Sequence, residues 1–169
     1  MKRKTIALSA LSCVLLFTSC NKGKENGESY AKLSDVELWS TYSSEKVLQD
    51  NVEIYDNIKR EPEISLKAIR GEEEATQLIM TSGDKEVKEY DVTLTDLTDG
   101  NGNVYENENI HLYHERYTFV DSASEYYTTA GYFPDCLVPF ENVKKLGETG
   151  FAANNNQGLY VSFDIPEDQ

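Results

Sequence analysis

Between residues 158 and 165 the chain reads Gly-Leu-Tyr-Val-Ser-Phe-Asp-Ile, with every odd position apolar and the even ones mostly polar. A period of two is the mark of a strand that buries one face. Residues 87–97 alternate in the same way, with Tyr90, Val92 and Leu94 opposed to Glu89, Asp91, Thr93 and Thr95. Val36 to Tyr42, Ile64 to Ile69 and Thr76 to Thr81 are short runs rich in β-branched, aliphatic and aromatic residues, and residues 109–120 form a longer one. Such side chains fit a pleated, half-buried surface. Turn chemistry separates the runs at Ser82-Gly83-Asp84, at Asp99-Gly100-Asn101-Gly102-Asn103 and at Asn154-Asn155-Asn156. Residues 44–58 fit either a short helix or an irregular crossing. The pattern predicts an all-β fold, an antiparallel β-sandwich. The segment 158–165 is expected to be an integral strand of it, with Leu159, Val161, Phe163 and Ile165 on its buried face.

The N-terminus follows a different logic. Met1-Lys2-Arg3-Lys4 is a cationic start, Thr5 to Phe17 is mostly apolar, and Thr18-Ser19-Cys20 follows. Thirteen residues are too short to span a bilayer as a helix, and the order is that of a secretory signal. Leu16-Phe17-Thr18-Ser19-Cys20 resembles a bacterial lipobox, in which the cysteine becomes the lipidated first residue. An ordinary cleaved signal with a chance cysteine is the alternative. The expected organisation is a signal peptide over 1–19, a polar tether over 20–32 and a β-sandwich over 33–169. Lipidation at Cys20 places the protein at the cell membrane, on its extracytoplasmic face.

Charge narrows the partners. The chain has 169 residues, 16 Lys plus Arg and 30 Asp plus Glu, for a net charge of −14. Loss of the three cations in residues 1–19 leaves −17. That excludes a basic nucleic-acid face and a basic patch for anionic lipid. With Cys13 in the signal and Cys20 on lipid, Cys136 stands alone and no internal disulfide forms.

Catalytic patterns are weak. Thirty acids allow any carboxylate pair to be drawn. Glu72-Glu73-Glu74 reads as a solvated turn before a strand, and Asp135 as a turn residue bonding nearby backbone N–H groups. His111 and His114 differ by three along a strand, so they face opposite sides and do not share a metal. Cys136 lies among Phe133, Leu137 and Val138 and reads as a buried thiol. Asp99, Asn101 and Asn103 have the alternate spacing of a calcium loop. Val104 and Ile110 then stand where an EF-hand needs Gly and Glu, so the segment reads as a hairpin turn. No metal and no cofactor is expected. The tyrosines Tyr113, Tyr117, Tyr126, Tyr127 and Tyr132 serve either core and edge packing or stacking on sugar rings. Tyr126, Tyr127 and Tyr132 are the candidate glycan contacts.

Four segments, in order, resemble a known module. They are Trp39 to Leu48, ending in a Ser-x-Glu-Lys-Val corner, Arg70 to Ile79 with Glu-x-Glu-x-x-Gln, Gly131 to Phe140 with Tyr-x-Pro-Asp, and Asn156 to Pro166 with Asn-Gln-x-hydrophobic. Together they are similar to the N-terminal β-sandwich of glycoside hydrolases carrying the domain of unknown function 4091, themselves similar to glycoside hydrolase family 123, the β-N-acetylgalactosaminidases. The resemblance covers residues 34–166. It implies an accessory module that supports a catalytic barrel or holds glycan. The family's catalytic acids lie in the barrel, so no catalytic residue is expected here. The rival expectation is a stand-alone surface-binding lipoprotein with no enzymatic role.

Overall fold

In a computed structural model of the chain the described residues are 14–17, 35–50, 58–61, 63–99, 101–122 and 130–167. Cys20, Tyr126 and Tyr127 lie outside them. The strands are β1 (Val14–Phe17), β2 (Val36–Tyr42), β3 (Glu73–Ser82), β4 (Tyr90–Thr93), β5 (Leu97–Thr98), β6 (Val104–Tyr105), β7 (Ile110–Val120), β8 (Gly131–Pro139) and β9 (Asn156–Asp164). One helix, α1 (Phe140–Leu146), follows β8 directly. Five strands make an antiparallel sheet in the order β2-β3-β9-β7-β8. Two short antiparallel pairs, β1 with β4 and β5 with β6, complete the strands. The fold is all-β and antiparallel, as the period-two segments predict.

The register sorts the side chains onto two faces. Leu38, Met80, Leu78, Leu159, Val161, Phe163, Ile110 and Leu112 share the inner face through the pairs Leu38↔Met80, Leu78↔Leu159, Leu112↔Val161 and Ile110↔Phe163. Tyr90, Val92, Leu97, Phe140 and Phe151 pack over that face and close the main core. The 87–90 segment is tied down by the mutual bonds of Val87 and Phe151 (2.9 and 2.8 Å) and by the Tyr90 N–H on the Thr149 carbonyl (2.9 Å). Phe140 and Val143, three apart on α1, point into the core. Gly147 ends the helix at φ +69°, a backbone angle that costs glycine nothing.

The outer face carries a second, smaller cluster of Trp39, Ile79 and Val47, with Ile58 against it. Here the chain crosses the sheet over residues 43–50 without helix, so the irregular alternative for this segment is the correct one for its described part. Three bonds from Gln77 Nε2 hold its start, to the carbonyls of Tyr42 (2.8 Å), Ser43 (3.2 Å) and Glu45 (2.8 Å). Asn156 holds its end, with Nδ2 donating to the Leu48 carbonyl at 2.9 Å.

Several expectations need correction. Ile64 to Ile69 joins no ladder among the described residues, although its side chains alternate between half-buried and exposed. Asp135, expected at a turn, lies with Pro134 and Pro139 inside strand β8. That strand is an edge, where a missing N–H can face outward. Strand β9, by contrast, is integral as expected, flanked by β3 and β7 on its two sides, and the edges of the sheet are β2 and β8. Cys136 is exposed, not buried. An edge strand has a neighbour on one side only, and the apolar residues next to Cys136 in sequence do not cover it.

Candidate functional site

The outer face of β7 and β8 gathers the side chains with most chemical interest. Odd positions of β7 point there, from His111 to Phe119, because His111 and Tyr113 pair with Ser162 and Tyr160 on that face. On β8 the register changes midway. Arg116 is opposite Cys136, but Tyr117 is opposite Pro134, leaving Asp135 as the extra residue of a bulge. Beyond the bulge the facing parity of β8 is inverted. Tyr132 therefore stands opposite Phe119 and on its face, where an unbulged strand would bring Phe133. The role of Asp135 is this bulge rather than a turn bonded to its backbone.

The result is an exposed aromatic pair. Phe119 is 55% exposed and Tyr132 40%, with ring centroids 5.0 Å apart and planes at 50°. The Tyr132 carbonyl accepts the Gln49 N–H at 3.0 Å, which pins the strand beneath the ring. Of the tyrosines singled out in the sequence, Tyr113 packs edge-on against Tyr160 at 6.4 Å, and the Tyr117 hydroxyl accepts the Gly158 N–H at 3.1 Å. Only Tyr132, among the described ones, presents its ring to solvent in this pair. Phe119 was not legible as a site residue. Its one signal was a large apolar side chain beyond the buried part of a long strand.

Glu115 lies on the same face but is buried, at 2% exposure. Burial pushes its carboxyl up to about 7, against a smaller downward pull from Lys46. Oε2 has no partner among the described residues. The carboxylate rests on Gly158, where an added Cβ would come within 1.9 Å of Oε2, so a side chain there would have to displace the carboxylate. Thr41 Oγ1, Gln77 Oε1 and Ser162 Oγ are also buried without partners, and all three project from this outer face. On the inner face His114 is buried with Nδ1 2.8 Å from the Tyr90 hydroxyl, and desolvation first, then Arg116, lowers its pKa to about 4. His111 bonds Asp164 Oδ2 at 2.8 Å. The two histidines thus face opposite sides, as their spacing requires.

The remaining constellations are structural. Asp99 accepts the N–H groups of Asn101 (2.8 Å) and Asn103 (2.9 Å) and the Asn103 amide (2.7 Å). Those bonds hold its carboxyl down at about 2. Among the described residues no three His, Cys, Asp or Glu side chains gather as a metal site. An open cleft of about 560 Å³ lies between Asp35–Glu37 and Thr81–Lys85, and its opposite charges Lys85 and Asp35 pair with each other at 2.8 Å. No described helix is long and apolar enough to cross a membrane. The polar residues of the sequence motifs act as clamps. Gln77 holds the 43–45 turn, Asn156 accepts the Thr81 hydroxyl at 2.6 Å, and Gln157 Nε2 donates to the Glu115 carbonyl at 2.9 Å.

An antiparallel sheet whose motif residues clamp its own crossings, beside an exposed aromatic pair, defines the module over the described residues. The family profile of the glycoside hydrolase 123 N-terminal domain matches residues 48–169, and the chain belongs to that family. Among solved structures it is similar to a family 123 glycoside hydrolase from Clostridium perfringens, studied for glycolipid glycan hydrolysis. The TM-score is 0.56 at 15% identity, over 79% of this chain and 22% of that one. The chain thus spans less than a quarter of that enzyme's length. No curated protein matches the chain.

Proposed function

We propose that the protein is an accessory module of a glycoside hydrolase-like system, anchored at the extracytoplasmic face of the membrane through lipid on Cys20. Its work is to support a catalytic barrel rather than to cleave glycosidic bonds. The observation that carries this reading is the match of residues 48–169 to the glycoside hydrolase 123 N-terminal domain. The placement of Glu115 is consistent with it. A glycosidase needs two carboxyl groups flanking the scissile bond. The one described carboxyl pushed near neutrality is sealed from solvent, and the groups that shift it are its burial and Lys46, not a second acid.

Two measurements test the reading. The purified chain should turn over aryl glycosides no faster than buffer, and robust turnover lost on changing one Asp or Glu would overturn the accessory role. In cells, Cys20→Ala should move the protein out of the membrane fraction and abolish labelling by palmitate. Unchanged retention of the variant, with no label on the parent, would overturn the anchor. The second reading, a stand-alone binding lipoprotein, is favoured by one observation, the solvent-facing pair of Phe119 and Tyr132.

A further inference from the structure

We propose that Phe119 and Tyr132 form a stacking platform for a neutral glycan, taking the apolar face of one or two pyranose rings. The inference concerns binding by this chain itself and stands whether or not a catalytic barrel accompanies it.

Three observations carry it. The first is that the pair is constructed by the fold. Without the bulged residue Asp135, Phe119 would face Phe133, and Tyr132 would turn to the opposite side of the hairpin. The extra residue brings two aromatic rings together on one exposed face, where burial of apolar surface gains nothing for the module alone. The second is rigidity. Phe119 and Tyr132 occupy a direct cross-strand position in a continuous ladder, and the Gln49 N–H bonds the Tyr132 carbonyl at 3.0 Å. A platform held in place loses little conformational entropy when a ligand settles on it.

The third observation is size, and it chooses the occupant. Aromatic side chains present some 150–250 Å² each, so rings 55% and 40% exposed offer together roughly 200 Å². A stable protein interface buries about 800 Å² on each partner. The pair is too small for a protein and matches the face of a sugar ring. Charge refines the class. A chain of net charge −14 repels an acidic sugar and leaves neutral rings as ligands.

The test is retention of the full chain, in mild detergent, on immobilised lactose, chitobiose, N-acetyllactosamine and mannotriose, with sialyllactose alongside. Retention on at least one neutral glycan, weakened tenfold or more by Phe119→Ala and by Tyr132→Ala, is the expected result, with none on sialyllactose. Leu146→Ala, at a 66% exposed apolar residue elsewhere, should leave retention unchanged. Both pair residues are exposed, so their variants should keep the far-ultraviolet spectrum and melting temperature of the parent. Failure of all four neutral glycans to retain the chain, or equal retention by the parent and both pair variants, overturns the proposal. So does a finding that Phe119→Ala abolishes self-association or docking to a family 123 barrel instead. None of these outcomes touches the lack of hydrolysis, which is read separately with aryl glycosides.

Discussion

Changing Glu115 to Gln should stabilise the protein at alkaline pH and leave it unaltered in acid. In the folded chain the carboxyl is buried, one oxygen is unpartnered, and its pKa stands at about 7 against an ordinary 4.5. Below pH 4.5 the group is protonated in both folded and unfolded chains, and it contributes nothing to the pH dependence. Between 4.5 and 7 the unfolded chain has released the proton while the folded chain keeps it. The folded state then binds more protons, and stability falls as pH rises. Above 7 the full penalty is present, about 3 kcal/mol at 1.36 kcal/mol for each factor of ten in the proton equilibrium. Gln has the same shape and no charge to bury. At pH 8 the variant should gain about 2–3 kcal/mol, a rise in melting temperature of roughly 5–10 °C for a domain of this size. His114 supplies the internal contrast, because it is held neutral with a pKa near 4. Its contribution is fully present above pH 6.5 and is lost as pH falls towards 4. The two neighbours on β7 thus oppose each other between pH 4.5 and 6.5, and Glu115→Gln should unmask the histidine as a stability that climbs with pH. Urea unfolding of parent and variant at pH 4 and pH 8 decides the matter. Equal differences at the two pH values, or a variant less stable at pH 8, would refute the burial argument.

Three further outcomes follow from the packing. Phe163→Ala should cost about 3–5 kcal/mol in denaturant unfolding, since the ring is 2% exposed in the main core, whereas Ser162→Ala removes a buried hydroxyl with no partner and should be neutral or slightly stabilising. Equal effects would refute the assigned faces of β9. Gly158→Ala should cost about 1–3 kcal/mol by driving a methyl into the Glu115 carboxylate, and Glu115→Ala in the same chain should relieve much of that loss. Additive effects of the two changes would show that the contact is unimportant. Cys136, exposed on the edge strand, should react with a thiol reagent in the native protein as fast as in denaturant to within about tenfold. Protection by several orders of magnitude would restore the buried thiol expected from its apolar neighbours.

Strands β2, β3, β7 and β9 are legible in the residue pattern alone, because a half-buried strand writes its two faces into alternate positions. Leu159, Val161 and Phe163 are the clearest case, and the antiparallel all-β class follows from such runs and the polar turns between them. The opposed histidines follow from spacing in the same way. Residues 64–69 show the limit of that signal: a chain half-buried against a core alternates too, whether or not another strand bonds to it. Strand β8 is hidden for the converse reason. Pro134, Asp135 and Pro139 are turn residues by local propensity, and only a place at the edge of the sheet lets them lie in a strand. Neighbours across the sheet also decided where β9 sits, that Cys136 is exposed, and that one extra residue turns Tyr132 towards Phe119. Glu115 is one acid among 30 in the sequence. Its raised pKa exists only because β7 lays it on Gly158, distant in the chain, and electrostatics depends on that proximity and burial rather than on residue type.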